Sequence, residues 1–504
     1  MPLRSRTSGH THARIRPRIV YIAFYFPPTR ASGVYRSRAT ANHLAEAGWD
    51  VTVVTPQREF FTDYIESFDP SLEATVRGDV QVDRVRFPGR AWEKDIRSWS
   101  RMRANVPQLS GSVNSWVETR AFPEQYSPWI PRVVKRVVEL HRRAPVDLVL
   151  ATGNPFASFA AAWAVNRLTR VPYVVDYRDS WTLNLFQDAP AYPDGHPAWA
   201  WERRILARAA AAVFVNEPLR AWHVDRYPFL ATAERGDRTL VVQNGWEPDL
   251  LGALPDPAPV TPTGAGPDGA PGRPLRFGYM GTLTTHVPVE PFLDGWRAAR
   301  AADPRMADST MHVFGHLGFF PASVPALRAK LPHDGEDGVH VEGPVPKAQV
   351  GTAYASLDVL VLMLAGGRYV TSGKVYEYMA SGRPIVSVHD PVSAANGPLQ
   401  GYPLWFPVRD LSGEEVARVL REAADAARTA DPALRAAARA HAARYTRDAQ
   451  LADFQVELRR IAGYEDAVTV RASGASPVHL PATAAVQAVT MPDAAPADLE
   501  ISRA

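Results

Sequence analysis

The chain has no cysteine among its 504 residues. That absence excludes disulfides, thiolate zinc sites and cysteine nucleophiles, and it fits a cytoplasmic protein. Long apolar runs are missing too: none reaches the ~18–20 residues that a membrane-spanning helix needs. The start, "MPLRSRTSGHTHARIRPR", is basic but has no apolar h-region, so no secretory signal is expected. Residues 1–17 read as a disordered basic tail. The alternative is a weak peripheral contact with anionic lipid on the cytoplasmic side of the inner membrane. A large excess of charge of one sign is missing: the net charge is +3, which gives no case for nucleic acid as a partner. No Asp-x-Asp constellation and no paired-histidine spacing suggests a metal site. No internal repeat is evident.

What is present is organised. The length exceeds what one hydrophobic core usually holds, so two domains are expected. Hydrophobic residues make up 46% and charged residues 22%, the balance of a globular enzyme. "RIVYIAFYFPP", from residue 18, is a near-continuous apolar run closed by two prolines, which reads as a buried strand and a loop. "VYRSRATANHLAEAG" has helical spacing and a stop at Gly48, and "WDVTVVTP" is a second buried strand. This is a βαβ unit, the seed of a doubly wound sheet. "VDLVLATG", "VPYVVDYRDSW", "AAAVFVNE" and "RTLVVQNG" extend the series, with helices expected at 155–169 and 201–211.

Composition then shifts to a Pro/Gly-rich linker over 251–274. A second series follows: "LRFGYMGTL", "TMHVFGHLG", "VHVEGPV", "LDVLVLML", "RPIVSVHD" and "YPLWFPV", with helices at 289–302, 347–356 and 374–381. A helical pattern at 414–444 resumes at 447–461. The expectation is two Rossmann-like domains, 18–250 and 275–445, with a cleft between them. A final helix over 446–464 crosses back towards the first domain, and 465–504 is a disordered tail. Residues 59–126, rich in Trp, Arg and Ser, read as an irregular region with amphipathic helices. An insertion shaping an acceptor pocket is the alternative. High Ala, Arg and Pro usage suggests a GC-rich bacterial genome.

Chemistry concentrates in "TSGKVYEYMASGRPI", residues 371–385. The small residues Thr371, Ser372 and Gly373 let backbone N–H groups approach an anion at a helix start. Lys374 adds a point charge for phosphate. Glu377 lies one turn further on the same side, where a carboxylate can accept two hydrogen bonds from a ribose diol. The bland alternative is a capped helix with a Lys–Glu pair. In "PPTRASGVYRSR", Gly33 and Arg36 flank a strand-to-helix loop that could meet phosphate and acceptor. "VVDYRDSW" puts Asp176, Arg178 and Asp179 past a strand end, the edge that faces the ligand crevice in an open α/β sheet. A structural salt-bridge set is the alternative there. Asn154 and His316 follow strands in the same manner, and His43 reads as a packed or surface side chain.

Taken in order, these segments resemble the retaining GT-B glycosyltransferases of family 4, or group 1. "SGKVYEYMASGRPIV" resembles that family's nucleotide-sugar motif, "VVQNGWEPD" its segment before the interdomain crossing, and "RFGYMGTL" the start of its second domain. "VHVEGPVPKAQVGTAYASLDVLVLML" is similar to its base-binding strand and loop, which include Val345. The resemblance implies an α/β GT-B fold. It also implies retaining transfer from a nucleotide diphosphate sugar, with a UDP-sugar as the leading donor, to an acceptor hydroxyl. No separate cofactor and no metal are implied. Donor contacts would come from Gly281, Thr282, His316, Val345, Thr371, Ser372, Gly373, Lys374 and Glu377. Acceptor contacts would come from Gly33, Arg36 and Asn154, and catalytic groups from Asp176, Arg178 and Asp179. Two departures stand out. The first acid of the family's Glu-x7-Glu motif falls at Tyr369, and Thr284, Thr285 and His286 occupy the place of an Arg and a Lys that grip the diphosphate. An inactive nucleotide-sugar-binding protein and an epimerase of the same fold are the competing classes.

Overall fold

The structure is a computed structural model. It describes residues 16–65, 67–88, 122–234, 236–252, 254–255, 273–318, 321–346, 349–365, 367–429 and 431–464. The expected tails over 1–15 and 465–504, residues 256–272 of the linker and 89–121 of the irregular region lie outside the described residues.

The first sheet has seven strands: β1 (Arg18–Ala23), β2 (Asp50–Pro56), β3 (Gln81–Val85), β4 (Leu148–Gly153), β5 (Tyr173–Tyr177), β6 (Ala211–Phe214) and β7 (Thr239–Val241). Their order is β7-β6-β5-β4-β1-β2-β3, parallel throughout. β1 shows why such strands read as unbroken apolar runs. Ile19, Tyr21 and Ala23 pack with Val51, Val53 and Leu150 on one face. Val20 and Ile22, with Phe24 just beyond, pack with Val149, Ala151 and Val175 on the other. Alternate residues serve opposite faces, and helices cover both, so both sets are apolar along β1.

The second sheet repeats the plan with β8 (Arg276–Met280), β9 (Thr310–Phe314), β10 (Val339–Gly343), β11 (Val359–Met363), β12 (Ile385–Val388) and β13 (Trp405–Pro407). Its order is β10-β9-β8-β11-β12-β13, again all parallel. In both sheets the order reverses beside the first strand, and ligands bind outside the carboxyl ends of strands at such a switch point. The last helix, Arg447–Ile461, returns to the first sheet: Leu451, Phe454 and Leu458 join the cluster of Ile19 and Tyr21. No described helix is long and apolar enough to cross a membrane.

Local signals set several boundaries. The helical pattern expected over 414–444 is two helices, Gly413–Thr429 and Pro432–Ala443. Asp431 caps the second by accepting from the Leu434 amide at 2.6 Å, and Pro432 fits the first helical position. The helix expected at 201–211 starts earlier, at Pro197, and ends at Arg208. Several elements are absent from the sequence-based expectations, the helix Glu217–Arg226 among them, and two show why. One is β3, whose residues are mostly polar and whose only buried one is Val85. The other is the helix Ile130–Arg143, of which only Val133 and Val137 are fully buried.

Candidate active site

The helix Gly373–Ala380 answers why a glutamate stands in a segment fit for burial. Ser372 caps it, its hydroxyl accepting from the Lys374 amide at 3.3 Å. Val375, Tyr376, Tyr378, Met379 and Ala380 are buried in one apolar cluster. Lys374 and Glu377 are left on the face that lines a cleft of ≈ 580 Å³. The buried Tyr354 hydroxyl donates to Glu377 Oε2 at 2.9 Å and fixes that carboxylate. Lys374 Nζ donates to the Tyr279 hydroxyl at 2.8 Å and lies 4.4 Å from the centre of that ring. Burial pushes the ammonium down to about 8, with Glu377 pulling the other way. Gly281 makes this placement sterically possible. Its φ is +134°, and a Cβ there would come within 2.3 Å of Lys374 Cε.

Across the cleft, the helix that follows β1, Val34–Glu46, meets the end of β5. Arg36 makes a two-pronged pair with Asp176, at 2.8 Å and 2.7 Å, and also donates to the Val242 carbonyl at 2.9 Å. Arg36 is 3% exposed and Asp176 2%. The pair therefore forms a fixed wall: Arg36 lines the cleft, whereas Asp176 stands behind it with its oxygens engaged. Such a pair carries a large desolvation cost, so its value lies in geometry more than in stability. Arg178 pairs with Asp179 at 2.5 Å and donates to the Ser32 hydroxyl at 3.2 Å. A Cβ on Gly33 would lie 3.1 Å from Arg178 Nε, so a side chain at 33 would crowd the guanidinium.

Side chains from the first sheet hold the loop that leads into the Lys374 helix. Asn216 Nδ2 donates to the Tyr369 carbonyl at 2.9 Å and to Thr371 Oγ1 at 3.1 Å. Asn244 Nδ2 donates to the Thr371 carbonyl at 3.2 Å, and the Tyr376 hydroxyl donates to Gln243 at 2.9 Å. A short ribbon, Leu183–Asn184 with Ala189–Pro190, adds two more contacts at its tip. Asp188 pairs with Arg368 at 3.1 Å, and Phe186 stacks on His286 with ring centres 6.1 Å apart.

Thr371, Ser372, Gly373, Lys374, Glu377, Arg36, Arg178 and Asp179 thus line one cleft, although they come from three distant stretches of sequence. Gly281 and Gly33 back two of them. Thr282, His316, Val345 and Asn154 do not line it. The Thr282 carbonyl accepts from the Tyr279 hydroxyl at 3.0 Å, and the His316 carbonyl accepts from the Leu283 amide at 2.9 Å. Val345 packs beside the apolar cluster, and Asn154 is exposed. His43 is an ordinary helix histidine, 3.0 Å from Asp448. Sequence reasoning named none of Asn216, Tyr279, Tyr354 or Arg447. Only Asn216 had a local signal, a helix cap before Glu217-Pro218. Among the described residues no group of three or more His, Asp or Glu could hold a metal ion.

Two parallel doubly wound sheets, with a cleft between groups at their switch points, define the GT-B class of glycosyltransferase folds. Residues 33–245 match the glycosyl transferase 4-like domain family, and residues 274–421 match the family of glycosyl transferases group 1. The chain belongs to the group 1 GT-B glycosyltransferases. Solved structures of similar fold include a glycosyltransferase from Rickettsia africae (12% identity, 89% of this chain and 99% of that one, TM-score 0.57). Others are sucrose-phosphate synthase from Thermosynechococcus elongatus (15%, 89% and 100%, 0.56) and HepE from Anabaena in complex with UDP and glucose (14%, 88% and 99%, 0.56). A comparison with curated proteins finds no match.

Proposed function

We propose that this glycosyltransferase is a retaining enzyme that moves a hexosyl group from a UDP-sugar to a hydroxyl of a polysaccharide, glycolipid or secondary-metabolite acceptor. The observation that carries this reading is the cleft itself: Lys374 and Glu377 on one wall, Arg178 and Asp179 on the other. Glu377 takes the ribose diol. Lys374 and the amides at the start of its helix take the diphosphate, and they stabilise it as it leaves without a metal. HepE, of similar fold, is described with UDP and glucose, which supports a uridine donor. Arg178 and Asp179 orient the acceptor hydroxyl, with Gly33 and Arg36 shaping the wall behind it. Retention follows if that hydroxyl attacks on the face the diphosphate leaves, its proton passing to a phosphate oxygen. The setting is the bacterial cytoplasm, with the acceptor met there or at the inner membrane surface.

The test is release of UDP from a panel of UDP-sugars with hydroxyl acceptors, and NMR of the product anomer. An inverted anomer would overturn the retaining mechanism. UDP binding without any transfer across the panel would favour an inactive binding protein.

A further inference from the structure

At the floor of the cleft the crossing segment meets the start of the last helix. Gly245 has φ +58°, and a Cβ there would lie 2.8 Å from the Tyr445 carbonyl oxygen and 3.1 Å from the Arg447 amide. Two backbone hydrogen bonds lock this approach: Trp246 N to Tyr445 O at 2.9 Å, and Arg447 N to Trp246 O at 2.7 Å. Arg447 is thereby set among the cleft-lining residues, beside Arg36, Asn244 and Glu247.

Its guanidinium is poorly served there. Arg447 is only 7% exposed, and its Nε and Nη1 have no hydrogen-bond partner. Among the described residues, one carboxylate comes within ion-pair range, Glu247, at 3.9 Å from Nη2. That is beyond hydrogen-bond length. Glu247 is itself held by Arg38, which also binds Asp249, and Asp176 is taken by Arg36. Both buried acids on this floor are therefore engaged by other arginines. A buried cation with unmade hydrogen bonds is costly, and such a group calls for an explanation. Burial pushes this guanidinium down to about 10 even with Glu247 opposing.

We propose that Arg447 is a receptor for a substrate oxyanion, a phosphate or a carboxylate, at the interdomain end of the cleft. The inference rests on the reading of this cleft as the substrate site. A planar guanidinium suits either anion, because both offer paired oxygens to its N–H groups. Lys374 is a second cation that already has its own place beside Tyr279. The anion on Arg447 is either the diphosphate of the donor or an acidic group elsewhere on a substrate.

Full-length wild type, Arg447→Gln, Arg447→Lys and Lys374→Ala are titrated by calorimetry with UDP, uridine, inorganic phosphate and malonate. The two small anions are also titrated into UDP-saturated protein. Phosphate or malonate should bind the wild type about tenfold or more tightly than Arg447→Gln, as expected for loss of a charge-assisted hydrogen bond, with Arg447→Lys between them. If the donor supplies the anion, Arg447→Gln weakens UDP but not uridine. If another substrate group supplies it, UDP affinity is kept, and the small-anion site of UDP-saturated protein is lost. Unchanged affinities for all four probes in Arg447→Gln overturn the inference, as does a wild type that binds neither small anion nor UDP. A fall in melting temperature of Arg447→Gln with affinities intact makes the residue structural and also overturns it. Small-anion binding that depends on Arg447 without any UDP binding would keep the receptor and sink the proposed donor. UDP binding lost in Lys374→Ala, with UDP and both small anions untouched in Arg447→Gln, would do the reverse.

Discussion

Glu377 and Lys374 share one helix turn and face the same cleft, yet different partners hold them, and this makes their roles separable. Glu377→Ala removes the acceptor of the buried Tyr354 hydroxyl as well as the proposed ribose ligand. The expected loss is on the order of 1–3 kcal/mol in UDP affinity, with a lower melting temperature from the stranded hydroxyl. Glu377→Gln keeps an oxygen for Tyr354, so stability should return while UDP affinity recovers only in part. UDP affinity unchanged in the alanine variant would remove Glu377 from the donor site. Lys374 gives a pH signature. Burial lowers its ammonium to about 8, so raising the pH through that value neutralises it in the free protein. Only the cation pairs with phosphate. UDP affinity should therefore fall as pH rises above about 8, by at most about tenfold per pH unit for one linked proton. Uridine affinity should stay flat, and Lys374→Gln should abolish the slope. Residue types and order along the segment made these two groups legible in the sequence. Their partners Tyr354 and Tyr279 were not, because one comes from the helix Val350–Ala355 and the other from β8, and neither carries a local mark of the role.

At the scale of elements, the loop before the Lys374 helix depends on a helix cap in the other half of the molecule. Asn216 Oδ1 accepts from the Leu219 amide at 2.9 Å, which caps Glu217–Arg226, while its Nδ2 holds the Tyr369 carbonyl and Thr371. Asn216→Ala should cost about 0.5–2 kcal/mol through the cap alone and should raise the KM for donor. Asn216→Asp separates the two functions. It keeps the cap oxygen but sets a carboxylate oxygen against the Tyr369 carbonyl. Thermal stability should therefore fall less than in the alanine variant, while donor KM still rises. An unchanged donor KM in both variants would mean that this contact is not needed to shape the site. Elements were legible where burial was complete. β1, β4 and β11 announce themselves because both faces are covered. β3 does not, since it is an edge strand with polar residues, and Ile130–Arg143 shows only a thin buried stripe.

For the whole molecule, the sequence pointed to two βα series and a cleft, but not to which side chains share it. Arg36 and Asp176 are 140 positions apart, and Asn216 and Thr371 are 155 apart. Only the topology joins them. The same topology divides the labour: the proposed donor groups sit on the second sheet's helix, and Asp179 follows a strand of the first. Asp179→Asn tests that division because it preserves volume and lies opposite the nucleotide wall. Its partner Arg178 keeps a neutral acceptor oxygen and its bond to Ser32, so the wall should hold its shape. The melting temperature should change little, and UDP affinity should stay within about twofold, since a substitution that meets no donor atom removes no differential interaction. Transfer should fall by about tenfold or more, because orienting the acceptor hydroxyl acts only on the aligned, closed cleft. Both quantities are read on the same preparation, UDP affinity by calorimetry and turnover by UDP release with acceptor present. Turnover that survives makes Asp179 a scaffold residue paired with Arg178. Donor affinity that collapses together with turnover means that the two walls do not act on separate substrates.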